Sequence, residues 1–227
     1  MKAATFLEDT LQEKMMFNSM LELEIALEKQ AFDNVIISSV HQSTDKNFPS
    51  INVANKQLVL NYALPLPVKL LYRTPETLGV DRIAGACGAS FIFPDMDCLV
   101  IDMGTCINYE FVDSKSNYHG GAISPGVEMR MKAMNTFTTR LPLIKVTEDF
   151  ELIGDSTESC MQSGVVNGVL GEISGVISKY LKIYPALKVI LCGGDAALFE
   201  NQLKPPIFAA PDLVLMGLNR ILRYNAA

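Results

Sequence analysis

Residues 98–111, CLVIDMGTCINYEF, read as a strand, a sharp turn and a second strand, with Asp102 at the end of an apolar run. A carboxylate in that position is costly to bury unless something pairs with it. Gly104 lets the backbone approach a ligand, and Thr105 offers a hydroxyl and an amide at the same corner. Amides in such turns form a concavity suited to phosphate oxygens, and a neighbouring carboxylate can hold a cation. A plain hairpin with a capping Asp fits this fragment as well, since short Gly motifs misfire often.

A second turn bears on the choice. In VILCGGDAALFE, 189–200, a strand runs into Gly193, Gly194 and Asp195 and then a helix. A nucleotide could rest there against backbone amides, although an ordinary strand-to-helix turn reads the same way.

Around these two turns the chain alternates strands and helices. Strands are expected at 1–8, 34–40, 98–103, 106–112, 117–122 and 188–194, and 41–57 reads as polar loop. The segment 65–75 is extended and punctuated by prolines. Helices are expected at 19–31 behind a Ser19 cap, 79–93, 126–139, 158–182 and over the tail from Pro211. The helix over 79–93, GVDRIAGACGASFIF, is lined with small residues, so close packing against another backbone is expected. Two hairpin-plus-helix halves predict a duplicated α/β architecture, divided at 1–95 and 96–227, each half a mixed sheet with flanking helices.

Composition narrows the function. With 227 residues, 49% of them apolar, the chain can bury a sizeable core. No apolar run reaches the roughly 18–20 residues of a membrane span, and no secretory leader is visible, which predicts a cytoplasmic protein with no membrane partner. A net charge of −6 without basic blocks argues against a nucleic-acid partner. The five cysteines lie scattered in apolar runs and are expected to be buried free thiols rather than a zinc site. Two histidines, His41 and His119, leave little material for histidine-based chemistry.

The DxGT hairpin followed by strand-GGDA-helix resembles the ATP site of the actin, hexokinase and Hsp70 superfamily, whose halves are RNase H-like. Further motifs sharpen the likeness: YxxP at 72–75, GxDR at 79–82, GGxIxPG at 120–126, TxxLP at 138–142 and GxxTxxxxxSG at 154–164. In this order they resemble type III pantothenate kinase, over essentially the whole chain from Lys2. The resemblance implies ATP-dependent phosphorylation of pantothenate, the first step of coenzyme A synthesis, with magnesium accompanying ATP and potassium or ammonium as a monovalent cation. It also implies a homodimer.

By the same resemblance Asp81 is the general base, with a helix cap as its alternative role, and Arg82 pairs with the pantothenate carboxylate. Tyr72, Gly79, Val80 and Thr157 complete the substrate set; core packing for Tyr72 and a helix cap for Thr157 remain alternatives. Gly104 and Thr105 match ATP-phosphate contacts, and Asp102 matches the monovalent-cation site. Gly120, Gly121, Pro125 and Gly126 shape a loop of unassigned ligand. A non-catalytic binding or regulatory protein on the same scaffold is the competing class, and the Asp81–Arg82 pair argues against it.

The likeness is incomplete at the start. The family opens with a strand carrying DxGNTxxK, and here Lys2 falls where the motif lysine would be. Either the true protein is longer or the turn is lost, and the intact remaining motifs favour the first. Without that turn one side of a triphosphate lacks its amides, so pantothenate binding is expected to outlast ATP turnover. Cys106, Asn108 and Glu110 also depart from the usual residues after DxGT and are expected to alter the cation site without removing it.

Overall fold

The computed structural model describes residues 1–28, 30–39, 51–147, 149–203 and 207–226. In chain order its elements are β1 (Lys2–Leu7), β2 (Thr10–Met16), α1 (Met20–Leu27), β3 (Ala31–Ile37), β4 (Asn52–Val59), β5 (Lys69–Leu70), a 3-10 turn (Pro75–Thr77), α2 (Val80–Ile92), β6 (Cys98–Met103), β7 (Cys106–Val112), β8 (Asn117–Pro125), α3 (Val127–Phe137), α4 (Thr157–Ile183), β9 (Lys188–Cys192), α5 (Ala196–Glu200), β10 (Ile207–Ala209) and α6 (Leu213–Ala226). They group into two compact units, Met1–Ile92 with Leu213–Ala227, and Phe93–Asp212. The α/β class expected from the sequence is present. The closing helix, however, falls in the first unit, whereas the sequence pattern had placed it in the second half.

In the first unit β1 and β2 form an antiparallel hairpin, and β3 pairs with β4 in parallel. The hairpin turns at Glu8, whose φ of 54° is unusual for a non-glycine residue. Helix α6 holds this turn: Asn219 Nδ2 donates to the Glu8 carbonyl at 2.8 Å, and Arg223 pairs with Asp9. Ser19 caps α1 as its position predicts, accepting from the Glu22 amide at 3.2 Å, while the Glu22 carboxylate takes the Asn18 amide. Two strands differ from the sequence expectation. β2, TLQEKMM, was not anticipated, and β4 occupies part of the segment read as loop, of which residues 41–50, His41 among them, lie outside the described set. Both are polar and largely exposed, so they lack the apolar alternation that marks a half-buried strand.

The small residues of α2 do what they predict. A Cβ on Gly88 would lie 2.5 Å from the Leu213 carbonyl oxygen, and one on Gly217 would lie 1.8 Å from that of Ala84. The α2 and α6 backbones therefore meet directly, which no larger residue at these points permits. Gly217→Ala must push the helices apart, and is expected to destabilise the protein by roughly 1–3 kcal/mol. A fall in the urea midpoint with little change in m would report it.

In the second unit the strands run in the order β10-β9-β6-β7-β8. β6, β7 and β8 are antiparallel neighbours, while β9 runs parallel to both β6 and β10. Helix α4 covers one face. Met161, Val165, Val169, Ile173 and Ile177 recur at four-residue spacing and pack with Leu99, Ile101, Ile107 and Tyr109 of the sheet in one buried cluster. Each such side chain contributes about 1.5–3 kcal/mol on burial. β6 joins β7 to β9 here. Among the described residues of the first unit no strand joins β1–β2 to β3–β4 in the same way.

Candidate active site

Three turns converge at one end of the second unit's sheet. The first is Asp102–Thr105, at the end of β6, closed by a hydrogen bond from the Gly104 amide to the Cys106 carbonyl at 2.9 Å. The second follows β9. Gly193 has a φ of +93°, and a Cβ there would lie 2.2 Å from the Met103 carbonyl oxygen and 2.5 Å from Asp102 Oδ1. Glycine is thus required twice over, by conformation and by contact. The Asp195 amide donates to the Met103 carbonyl at 3.0 Å, so the GGDA turn is fastened to the DxGT turn. These are the two segments that the sequence singled out for a nucleotide.

The third turn, Ser124–Gly126, ends the GGAISPG loop. The Gly126 amide donates to the Thr105 carbonyl at 3.0 Å, and a Cβ on Gly126 would lie 2.1 Å from the Gly104 carbonyl oxygen. The loop that had no assigned ligand therefore serves to brace Gly104 and Thr105.

The charges around these turns are arranged by burial. Asn108 stands directly opposite Asp102 in the ladder, and Glu110 opposite Val100. Glu110 is buried at 1% exposure, its Oε2 accepting from the Tyr118 hydroxyl at 2.5 Å. Asn108 and Glu110 thus both lie in the ladder that reaches Asp102, whereas Cys106 pairs with Pro125 on the other side of β7. Burial pushes the Asp195 carboxyl above its ordinary range, and the Glu128 charge adds to the effect.

Behind the third turn lies a network that no spacing in the sequence announces. Tyr109 Oη donates to Glu172 Oε1 at 2.8 Å, and Arg130 Nη2 donates to Glu172 Oε2 at 2.5 Å. Arg130 also holds the turn itself, through Nε to the Pro125 carbonyl at 2.8 Å and Nη2 to Ser124 Oγ at 2.9 Å. Burial pushes the Tyr109 hydroxyl up, and its bond to Glu172 pushes it further. Burial also acts to raise Glu172, but the hydrogen bonds from Arg130, Tyr109 and Ser124 outweigh it and hold the carboxylate below its usual range.

The first unit carries the other candidate residues. Gly79 leads into α2, its carbonyl accepting the amides of Arg82 at 3.1 Å and Ile83 at 3.2 Å. Asp81 sits in the first turn, beyond the cap position that was its alternative role, and its Oδ1 accepts from the Arg82 amide at 2.9 Å. A Cβ on Gly79 would lie 2.6 Å from that oxygen, so glycine leaves the carboxylate room. The Arg82 guanidinium lies 5.7 Å from the centroid of the Tyr72 ring, a cation–π contact. Tyr72, Gly79, Val80, Asp81 and Arg82 are thus gathered within one unit, and Asp102, Gly104 and Thr105 within the other. Thr157 is the first residue of α4 in the second unit; the capping role considered for it belongs to Ser156, which accepts from the Ser159 amide at 3.2 Å. Of the five cysteines, Cys87, Cys98 and Cys192 are buried as expected, whereas Cys106 is half-buried and Cys160 exposed. Burial pushes the Cys87 thiol up to about 12.

The model of the type III pantothenate kinase family matches residues 3–179. A type III pantothenate kinase of Cytophaga hutchinsonii is 47% identical over 192 residues, 85% of this chain and 81% of that protein. One from Flavobacterium johnsoniae is 39% identical over 232 residues, covering 99% of this chain and 93% of its own length. Among solved structures, a Baf family protein from Campylobacter jejuni is similar in fold, with a TM-score of 0.50 at 24% identity, covering 74% of this chain and 73% of that one. With a family match across most of its length and relatives aligned nearly end to end, this chain belongs to the type III pantothenate kinase family.

Proposed function

We propose that Asp81 and Arg82 receive pantothenate and that the turns at Asp102–Thr105 and Gly193–Asp195 receive ATP. The enzyme is a kinase of its family, phosphorylating pantothenate with ATP on the route to coenzyme A. The observation that carries the site reading is the junction of the two phosphate-type turns, where Gly193 lies against Asp102 and Met103 with no space for a side chain.

Asp81 orients the primary alcohol and takes its proton as the phosphoryl group transfers. Arg82 offers a guanidinium fork to the carboxylate at the other end of the vitamin, with Tyr72, Gly79 and Val80 in the same unit, and the family resemblance adds Thr157 to the substrate set. Thr105 presents its hydroxyl to the phosphates, and at Gly104 the absent side chain leaves their approach open. Asp102 suits a monovalent cation as the carboxylate of this turn, with Asn108 directly opposite it in the ladder. Potassium or ammonium held there would offset phosphate charge, as would the magnesium that accompanies ATP. The same reading makes the protein a cytoplasmic homodimer acting on small molecules, with neither nucleic acid nor membrane as partner.

A thermal-shift series tests this directly. Pantothenate and ATP with magnesium are each expected to raise Tm, with a larger ATP shift in potassium than in sodium. Arg82→Gln should abolish the pantothenate shift and leave that of ATP. No shift with either ligand would overturn the kinase site in favour of a scaffold role.

A further inference from the structure

We propose that Glu172, in the middle of α4 and outside every motif, is a positioning residue for the ATP-phosphate turn at Gly104–Thr105. The inference rests on the reading of that turn given above and adds a residue to it.

The chain of contacts is continuous within the second unit. The Gly104–Thr105 backbone leans on Gly126 through the amide-to-carbonyl bond at 3.0 Å and through a contact that excludes even a methyl group. Gly126 follows directly on Ser124 and Pro125, both held by Arg130. Arg130 begins on α3 and would have many rotamers available in water. It is fixed because Glu172 accepts its Nη2 while the second carboxylate oxygen is occupied by Tyr109. Tyr109 is buried at 1% exposure in the core between sheet and α4, so the network is anchored at its far end. Arg130 and Glu172 are both about a quarter exposed, which keeps their pairing less screened than a surface pair.

Stability alone would not need this arrangement. Arg130 could satisfy its charge in solvent, and Glu172 could do the same. What the pairing adds is a fixed direction for the guanidinium, and with it a fixed height for the Ser124–Gly126 corner. Small displacements of groups that hold a reacting substrate are costly far beyond their structural energy.

Glu172→Gln keeps the volume and removes the charge. ATP affinity, measured by equilibrium titration in the presence of magnesium, is expected to fall about tenfold, with pantothenate affinity changed less than about twofold. Arg130→Gln should produce the same split, and the double variant should be no weaker than Arg130→Gln alone, because the two act as one unit. Tyr109→Phe removes a single hydroxyl and keeps the core ring. Should Glu172→Gln fail to fold, it provides the folded variant, with an expected ATP loss of about threefold. An equal loss for both ligands, or an unchanged ATP affinity, overturns the proposal. Thr105→Ala separates the causes. If it weakens ATP while Glu172→Gln does not, the positioning role falls and the phosphate turn stands. If neither weakens ATP, the phosphate turn falls and takes the positioning role with it.

Discussion

Asp81→Asn is expected to lower the maximal turnover of pantothenate by about 10²- to 10⁴-fold, the range for loss of a positioned general base. The substitution is chosen for what it preserves. The carbonyl oxygen of asparagine can still accept the Arg82 amide now bonded to Oδ1 at 2.9 Å, so the start of α2 keeps its geometry. Arg82 therefore stays over Tyr72, and pantothenate affinity is expected to change by no more than about threefold. A purely structural Asp81 makes the opposite forecast. A carboxylate in the first turn of a helix contributes about 0.3–1 kcal/mol through the helix dipole. Its loss would then lower the melting temperature slightly and leave turnover at saturating substrates untouched. Steady-state kinetics beside a denaturant titration distinguishes the two, and turnover within about threefold of the parent would remove Asp81 from the chemistry.

How far the amino-acid sequence reveals this site depends on the kind of signal each residue leaves. Asp102, Gly104 and Thr105 stand in a four-residue turn between strong apolar strands, so a local pattern suffices. Gly193 lies at the end of β9, where the same logic applies, and the structure joins the two turns through the Asp195 amide. Asp81 and Arg82 come from the GxDR motif of the family resemblance, whereas the helix they open is read from its own small residues. Gly126 could be recognised as a loop glycine, but its purpose could not, because the atoms it approaches belong to Gly104 and Thr105 some twenty residues earlier. Glu172 leaves no local trace. It is one carboxylate on a long helix, and only the folded sheet brings Tyr109 and Arg130 to its two oxygens.

The fold divides along similar lines. Buried strands such as β6 and β9 are read from continuous apolar runs, and α2 from its small residues. β2 and β4 carry polar, exposed side chains and are strands because of their backbone partners, β1 and β3. The placing of α6 is a matter of complementarity between two sequences far apart: Gly217 meets Ala84, and Gly88 meets Leu213. Sequence order assigns that helix to the second half, whereas close packing assigns it to the first.

Gly126→Ala is expected to weaken ATP binding about a hundredfold, the effect of moving a binding group by about an ångström. The added methyl would lie 2.1 Å from the Gly104 carbonyl oxygen and 2.7 Å from that of Thr105, both backbone atoms that cannot rotate aside. The corner must retreat, and the 3.0 Å bond from the Gly126 amide to Thr105 goes with it. Backbone strain is no part of the cause, since φ at Gly126 is −71°, which alanine adopts freely. The helix below loses no side-chain cap bond, since Gly126 makes none, and the poorer N-cap preference of alanine is a small cost beside this clash. Gly168→Ala is the matched control. A Cβ there meets nothing within 4 Å, and on the exposed side of α4 the change should stabilise the helix by up to about 1 kcal/mol. Calorimetric titration of both variants with ATP and with pantothenate makes the comparison. Loss of ATP binding in the first variant alone, with pantothenate binding retained, ties the loop at 124–126 to the phosphates. Equal ATP affinity in the two variants would mean that the turn at Gly104–Thr105 does not touch them.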